Sequence, residues 1–366
     1  MGQDKLTVGL VYGGKSGEHE VSLQTAFAVM NAFNFNKYDV LPFYITKQGE
    51  WRVGSKLHAP FADLTHLRLE KEAGDTSIAI QQLFSKLATG QAAVDVVFPL
   101  LHGTYGEDGT IQGLFEMADL PYVGAGVLSS AAGMDKVVMK KLFADAGLEQ
   151  CKYCYFTGPQ WERNSHTLIQ GIEDKLGYPC FVKPANLGSS VGISKASNRD
   201  ELLKAVDYAF RYDLKVIVEE FVQAREIEVG VLGNDDAEAS VPGEVVSSSD
   251  SEYYDYQAKY LDGKSQMVIP ATIDTELAER IRELAVKAFK ATEGSGLCRA
   301  DFFLTADQSI LINEVNTMPG FTPFSMYPLL WRETGVSYES LLDRLIDLAQ
   351  QRYDARQNLD FNNGVN

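Results

Sequence analysis

Leu6 to Tyr12 (LTVGLVY) form a mostly apolar run that ends at Gly13-Gly14, and beyond Glu18 the residues Ala26, Val29, Met30 and Phe33 recur at i, i+3, i+4 and i+7. The first pattern predicts a buried strand and the second an amphipathic helix, so the chain opens as a β-turn-α unit. Tyr38 to Thr46 predicts a second strand. Val94 to Leu101 predicts another, so evenly apolar that both of its faces must be covered, as in parallel strands flanked by helices. These elements describe a small doubly wound α/β domain. Trp51 to Gly90 is mixed and polar and shows no periodicity that assigns it an element.

Near Gly124-Ala125-Gly126 the pattern changes. A helix carrying Met139, Leu142, Phe143 and Ala146 on one face stops at Gly147, a residue suited to the left-handed C-cap. A strand from Cys180 to Lys183, a Gly/Ser loop, a helix through Leu203, Val206 and Phe210, and a strand from Lys215 to Glu219 then predict a modest α+β lid. A third region opens with Glu226 to Leu232. It holds an aromatic loop from Tyr253 to Tyr260, a helix through Leu277, Ile281, Leu284 and Ala288, paired strands between Leu297 and Asn316, and a last helix through Leu341 and Leu345. The expected division is 1–126, 127–220 and 221–353, with 354–366 a polar, disordered tail.

Composition narrows the function. The 366 residues are 45% hydrophobic and 23% charged, which excludes fibrous and wholly disordered classes. With 33 basic and 50 acidic side chains the formal charge is −17, a poor match to nucleic acid or an anionic membrane. Val94 to Leu101 is far shorter than the roughly 20 apolar residues a membrane span needs, and Met1 to Leu10 lacks a signal-peptide pattern, so a cytoplasmic location is expected. Cys151-x-x-Cys154 has no second pair or nearby His to complete a zinc site, and the four cysteines read as reduced thiols.

The chemistry is concentrated in Leu297 to Asn316. Side chains alternate across a strand, so Arg299, Asp301 and Phe303 share one face of the first strand, and Ile312, Glu314 and Asn316 one face of the second. Antiparallel pairing would gather Asp301, Glu314 and Asn316. Oxygen donors without His or thiolate suit Mg²⁺ or Mn²⁺. The competing reading is an ion pair between Arg299 and one carboxylate, which leaves the other carboxylate and the amide unexplained.

Such an ion commonly also touches substrate phosphate, and Lys183-Pro184-Ala185-Asn186-Leu187-Gly188-Ser189-Ser190-Val191-Gly192 offers a strand-end cation with a Gly/Ser loop. An ordinary turn is its alternative. Lys136 opens a helix, where a cation is unfavourable unless an anion lies close. His102 follows the buried strand, where ligands meet open α/β sheets. Glu18-His19-Glu20 suits a helix start on dipole grounds alone. Gly9 to Ser16 matches the P-loop pattern G-x-x-x-x-G-K-[ST] letter for letter, which makes a P-loop NTPase using Gly14-Lys15-Ser16 the rival from another enzyme class. Its apolar run continues past the first glycine to Tyr12, which argues against a cradle there. A ligand sensor on the same scaffold would have no need of the three oxygen donors.

In order along the chain, Gly13 to Ser22, His102-Gly103, Met134-Asp135-Lys136, Lys183-Pro184 with Gly188 to Gly192, Arg299-Ala300-Asp301, Asn313 to Thr317 and Pro319-Gly320 resemble the motifs of the ATP-grasp ligases, and closely the D-alanine–D-alanine ligase family. The resemblance covers nearly the whole chain. It implies an N-terminal pre-ATP-grasp α/β domain and two α+β modules that sandwich ATP. It also implies ligation of two D-alanines through a D-alanyl phosphate for peptidoglycan precursors, and by analogy a homodimer.

By the same resemblance Lys136 and Lys183 would contact ATP phosphates. Glu219, Glu220, Phe221 and Val222 would form the hinge around adenine, with Glu226 on the ribose. Asp301, Glu314 and Asn316 would hold two Mg²⁺ or Mn²⁺ ions. Glu18 would secure the ammonium of the first D-alanine with His102 and Ser189 in support. Arg299 and the backbone of Gly320 would form the oxyanion hole, and Ser325 would meet the second carboxylate. Lys259 would reach the γ-phosphate from a closing loop, and Tyr260 would join Glu18 and Ser189. Relatives that use D-lactate differ at this loop, so Tyr260 favours D-alanine as second substrate over the D-alanine–D-lactate alternative.

Overall fold

The computed structural model describes residues 5–70, 76–188, 191–247 and 265–360. The first module runs β1 (Leu6–Gly13), α1 (His19–Ala32), β2 (Tyr38–Ile45), β3 (Trp51–Val53), a 3₁₀ turn (Leu64–Leu67), α2 (Thr76–Leu83), α3 (Ser85–Thr89), β4 (Val96–Leu100) and α4 (Thr110–Met117). Its sheet has the order β3-β2-β1-β4, with β1 parallel to both β2 and β4 and β3 an antiparallel edge. Alternation on β1 sends Val8, Leu10 and Tyr12 to one core and Val11 to the other. Both faces are therefore buried, as the even apolarity of Val94 to Leu101 predicts. The segment 51–90, silent in the sequence, supplies β3, the 3₁₀ turn, α2 and α3.

The chain continues through α5 (Val127–Met134), α6 (Lys136–Asp145), β5 (Tyr153–Thr157), α7 (Gly158–Lys175), β6 (Cys180–Pro184), β7 (Ser194–Ala196), α8 (Arg199–Ala209) and β8 (Lys215–Glu220). A four-stranded antiparallel sheet, β5-β8-β6-β7, packs α7 and α8 on one face through Ile169, Ile172, Leu202 and Val206. Helix α6 does not join that core. Met139 and Phe143 pack with Val229, Phe302 and Ile312 of the later sheet, so a helix placed by sequence in 127–220 is anchored elsewhere.

The last module contains β9 (Ala224–Gly233), β10 (Glu238–Ala239), β11 (Gly243–Ser247), β12 (Ser265–Val268), α9 (Thr275–Ala291), β13 (Gly296–Thr305), β14 (Ile310–Asn316), α10 (Met326–Glu333) and α11 (Tyr338–Gln357). The sheet order is β12-β11-β9-β13-β14, with β10 paired to β9. Helix α11 extends through Gln357, whose amide donates to Asp119, so the tail expected from residue 354 is helical at its start. Residues 361–366 of that tail lie outside the described residues.

The first and last modules share one core. Phe321 is fully buried, with its ring beside Phe98 of β4 (6.2 Å between centroids), Tyr327 of α10 and Tyr338 of α11. Removing a ring from such a site forfeits both transfer free energy and packing. Phe321→Ala is expected to destabilise the fold by about 3–5 kcal/mol, read as a lower urea midpoint; an unchanged midpoint would show the junction to be loosely packed. No described helix is long and apolar enough to cross a membrane.

Candidate active site

The loops after β1 and β4 end where open α/β sheets present ligands. Glu18 precedes α1, and His102 follows β4; both are buried. Gly103 has φ +74°, and a Cβ there would lie 2.7 Å from Glu18 Oε2, so only glycine lets the two loops close on each other. His102 sits 3.3 Å from Thr25 Oγ1 and 3.5 Å from Glu107 Oε1. Burial opposes a charged imidazole, but Glu107, with Glu18 adding to it, moves His102 above its ordinary pKa. Burial likewise pushes the Glu107 carboxyl up, against the pull of His102. Glu107 is a site residue that sequence reading passed over.

Glycine loops from the other modules complete the cleft. Glu18, His102 and Glu107 face Lys136, Gly188, Glu314, Asn316 and Gly320 across a polar cavity of about 60 Å³. Lys136 opens α6 behind the Asp135 N-cap and donates to the Leu187 carbonyl at 2.7 Å. Burial lowers its pKa, with Lys183 adding to the effect and Glu314 opposing it. Lys183, near the end of β6, pairs with Glu219 Oε2; Lys140, unflagged by the sequence, holds Glu219 Oε1 at 2.7 Å. Burial would raise the Glu219 carboxyl, yet the two lysines outweigh it and hold the carboxyl well below its usual range.

Glu220 ends β8 and accepts from the Lys152 amide at 2.8 Å. Phe221 and Val222 lie in the link to β9, with Phe221 beside Phe181 at 6.1 Å. Glu226 is half-buried on β9, opposite Phe303 of β13 and Val245 of β11. Ser325 precedes α10; its Oγ is 2.8 Å from Thr322 Oγ1 and 3.2 Å from the position a Cβ at Gly320 would take. Ser189, Lys259 and Tyr260, with the loop 253–260, lie outside the described residues.

Pairing of β13 with β14 sets Asp301 opposite Glu314 and Arg299 opposite Asn316. The register slips between Asp301 and Phe302, leaving Asn313 as an extra residue on β14. This bulge corrects one expectation. Ile312 does not share a face with Glu314: it pairs with Phe302 and enters the apolar core, while Glu314 and Asn316 stay on the cleft side. The ion-pair reading of Arg299 also holds, since its Nε and Nη2 donate to Asp301 at 2.7 and 2.6 Å. Both features coexist because one guanidinium faces Asp301, Glu228 and Glu314 together.

That imbalance tests the fit of a divalent ion. Burial pushes the Asp301 carboxyl up to about 7, with Arg299 opposing and Glu228 and Glu314 reinforcing the shift. Buried carboxylates in excess of the local positive charge, with an amide oxygen beside them, fit a hard cation in charge and donor type. Among the described residues no group of three or more His, Cys, Asp or Glu is spaced to hold a metal. The four cysteines are free thiols.

The P-loop alternative fails on its amides. Gly13 N–H donates to Ser22 Oγ and Gly14 N–H to the Ile45 carbonyl, so these two turn amides, which would help cradle phosphate, are committed within the fold. Lys15 lies over the Tyr105 ring, 5.3 Å from its centre.

Known proteins match this chain in sequence and fold. The family model described as D-ala D-ala ligase N-terminus matches residues 7–125, and that described as D-ala D-ala ligase C-terminus matches 142–347. A D-alanine–D-alanine ligase of Bacillus velezensis is 55% identical over 350 residues, covering 95% of this chain and 98% of that protein. The solved D-alanine–D-alanine ligase of Coxiella burnetii has a TM-score of 0.79 and 31% identity, over 97% of both chains. The VanG D-Ala:D-Ser ligase of Enterococcus faecalis has a TM-score of 0.80 and 36% identity, over 94% of this chain and 100% of that one. With both family models matched in order and likeness running nearly end to end, the chain belongs to the D-alanine–D-alanine ligase family.

Proposed function

We propose that the chain joins two D-alanines to D-alanyl-D-alanine at the expense of ATP, supplying a peptidoglycan precursor. One observation carries the reading: a single cleft gathers Glu18 and His102 of the first module, Lys136 and Gly188 of the second, and Glu314, Asn316 and Gly320 of the third. A carboxylate suited to an ammonium, one lysine suited to phosphate and two hard oxygen donors thus line the same cleft.

In the proposed reaction the carboxylate of the first D-alanine attacks the γ-phosphoryl group, giving D-alanyl phosphate and ADP. The amine of the second D-alanine then attacks the acyl carbon, a proton leaves the nitrogen, and phosphate departs. Glu18, with His102 and Ser189, holds the first ammonium. Lys136, Lys183 and, from its loop, Lys259 offset phosphate charge; Glu219, Glu220, Phe221 and Val222 surround adenine, and Glu226 meets the ribose. Asp301, Glu314 and Asn316 would hold two Mg²⁺ or Mn²⁺ ions, whose charge would screen the two anions that must meet. Arg299 and the Gly320 amide stabilise the tetrahedral oxyanion, Ser325 orients the second carboxylate, and Tyr260 closes the Glu18–Ser189 network. Water must be excluded, since it would hydrolyse the acyl phosphate.

The test mixes the chain, ATP and Mg²⁺ with D-alanine, L-alanine, or D-alanine plus D-lactate, and measures phosphate together with product. Phosphate and dipeptide are expected in equal amounts with D-alanine alone. ATP turnover indifferent to D-alanine would overturn the ligase reading, and comparable depsipeptide formation at neutral pH would overturn the preference for D-alanine. A cytoplasmic homodimer joined through the first module is part of the same proposal, and light scattering that gives a monomer at micromolar concentration would remove the dimer.

A further inference from the structure

Across β9, β13 and β14 the residues Glu228, Asp301 and Glu314 stand in one cross-strand row, and Gly230, Arg299 and Asn316 stand in another. Glu228 is 6% exposed and lies between buried Ile227 and Val229. A carboxylate in such a strand is costly unless something there requires it, and nothing assigned so far does.

Its contacts identify what requires it. Glu228 Oε2 lies 3.0 Å from Arg299 Nε yet receives no hydrogen bond, because the single Nε–H is directed at Asp301 Oδ1, 2.7 Å away. One donor therefore has two acceptors in reach. Asp301 spends both of its oxygens on Arg299, the second on Nη2 at 2.6 Å. The same carboxylate cannot neutralise a guanidinium and a divalent cation to the full extent of its charge, and two cations sharing it repel. If Asp301 turns toward Glu314 and Asn316, the buried Nε–H loses its acceptor, a loss that is expensive in the interior.

We infer that Glu228 is a positioning residue: it takes up the Arg299 Nε–H and supplies the charge that lets Asp301 serve a metal while the guanidinium stays in place. The inference rests on the assignment of Arg299 and Asp301 proposed above. A purely structural Glu228 would affect folding; a positioning Glu228 affects metal affinity and turnover in a folded protein.

The test uses the full chain with Mn²⁺ and a non-hydrolysable ATP analogue, with bound Mn²⁺ read by electron paramagnetic resonance alongside steady-state kinetics. Glu228→Leu is expected to weaken Mn²⁺ binding and lower kcat by about 10–100-fold each, the range found when a residue supporting a metal ligand is lost. The KM for ATP should change little, which separates positioning from nucleotide binding. Glu228→Gln keeps an acceptor oxygen and loses the charge, and should fall between Leu and wild type. Wild-type Mn²⁺ affinity and kcat in folded Glu228→Leu would overturn the inference; should that variant not fold, wild-type values in Glu228→Gln would do so. Asp301→Asn serves as the control. If it too binds Mn²⁺ at full strength, the metal assignment itself is wrong and takes the inference with it; if only the Glu228 variants are unaffected, the positioning role alone fails.

Discussion

Asp301→Asn is expected to lower metal-dependent phosphate release on the order of 10³-fold, equivalent to about 4 kcal/mol of barrier. The substitution preserves shape but removes the charge at the centre of the row formed with Glu228 and Glu314. It also sets an amide in the place of a carboxylate that accepts two hydrogen bonds from Arg299. An Asn keeps one good acceptor and turns its amino group on the other guanidinium nitrogen. Loss of the ion and disturbance of Arg299 therefore act in the same direction on both halves of the reaction. Phosphate release and Mn²⁺ binding should fall together while the folded fraction, read by circular dichroism, remains high. Full metal-dependent phosphate release would count decisively against the assignment.

Lys183→Met should raise the KM for ATP and lower kcat by about 10²–10³-fold, the usual result of deleting one preorganised group that faces developing charge. Burial works against a charged Lys183, but Glu219 more than restores it and the ammonium stays above its ordinary pKa. Glu219 keeps Lys140 when Lys183 is lost, so its carboxylate is not left alone in the interior. The paired control is Lys15→Met. Lys15 sits on Tyr105, and the Gly13 and Gly14 amides of its loop are committed inside the fold, so ATP kinetics near wild type are expected. Loss of ATP binding in Lys15→Met with retention in Lys183→Met would restore the P-loop alternative.

Local pattern foretold the elements whose burial is uniform or alternating. The run Leu6 to Tyr12 became β1, Val94 to Leu101 contained β4, and the apolar halves of Leu297 to Asn316 became β13 and β14 around the turn at Thr305 to Ser309. What failed was what local pattern does not encode. The bulge at Asn313 adds one residue to an otherwise regular strand, and its effect, moving Ile312 to the opposite face from Glu314, exists only once β13 is in place. Helix α6 shows an ordinary apolar face, which does not say that its partners are Phe302 and Ile312 rather than the nearer β5-β8-β6-β7 sheet.

The site divides in the same way. Asp301 and Glu314 stood out because acids in apolar strands need a reason, and Lys136 because a cation at a helix start needs an anion. Glu228 is likewise an acid in an apolar strand, but its place beside Arg299 exists only once β9 and β13 are paired. Lys140 was hidden on a helix where lysine is common; only burial against Glu219 distinguishes it. Glu107 sat within a turn-rich loop of polar residues, and its value appears only beside His102.

The step at the centre of this account is attack of a substrate carboxylate on phosphorus, and oxygen labelling tests it most directly. D-Alanine carrying ¹⁸O in its carboxylate is incubated with the chain, ATP and Mg²⁺, and the released phosphate is analysed by mass. Passage through D-alanyl phosphate predicts one labelled oxygen transferred to each phosphate formed with dipeptide. Dipeptide accompanied by unlabelled phosphate would contradict it.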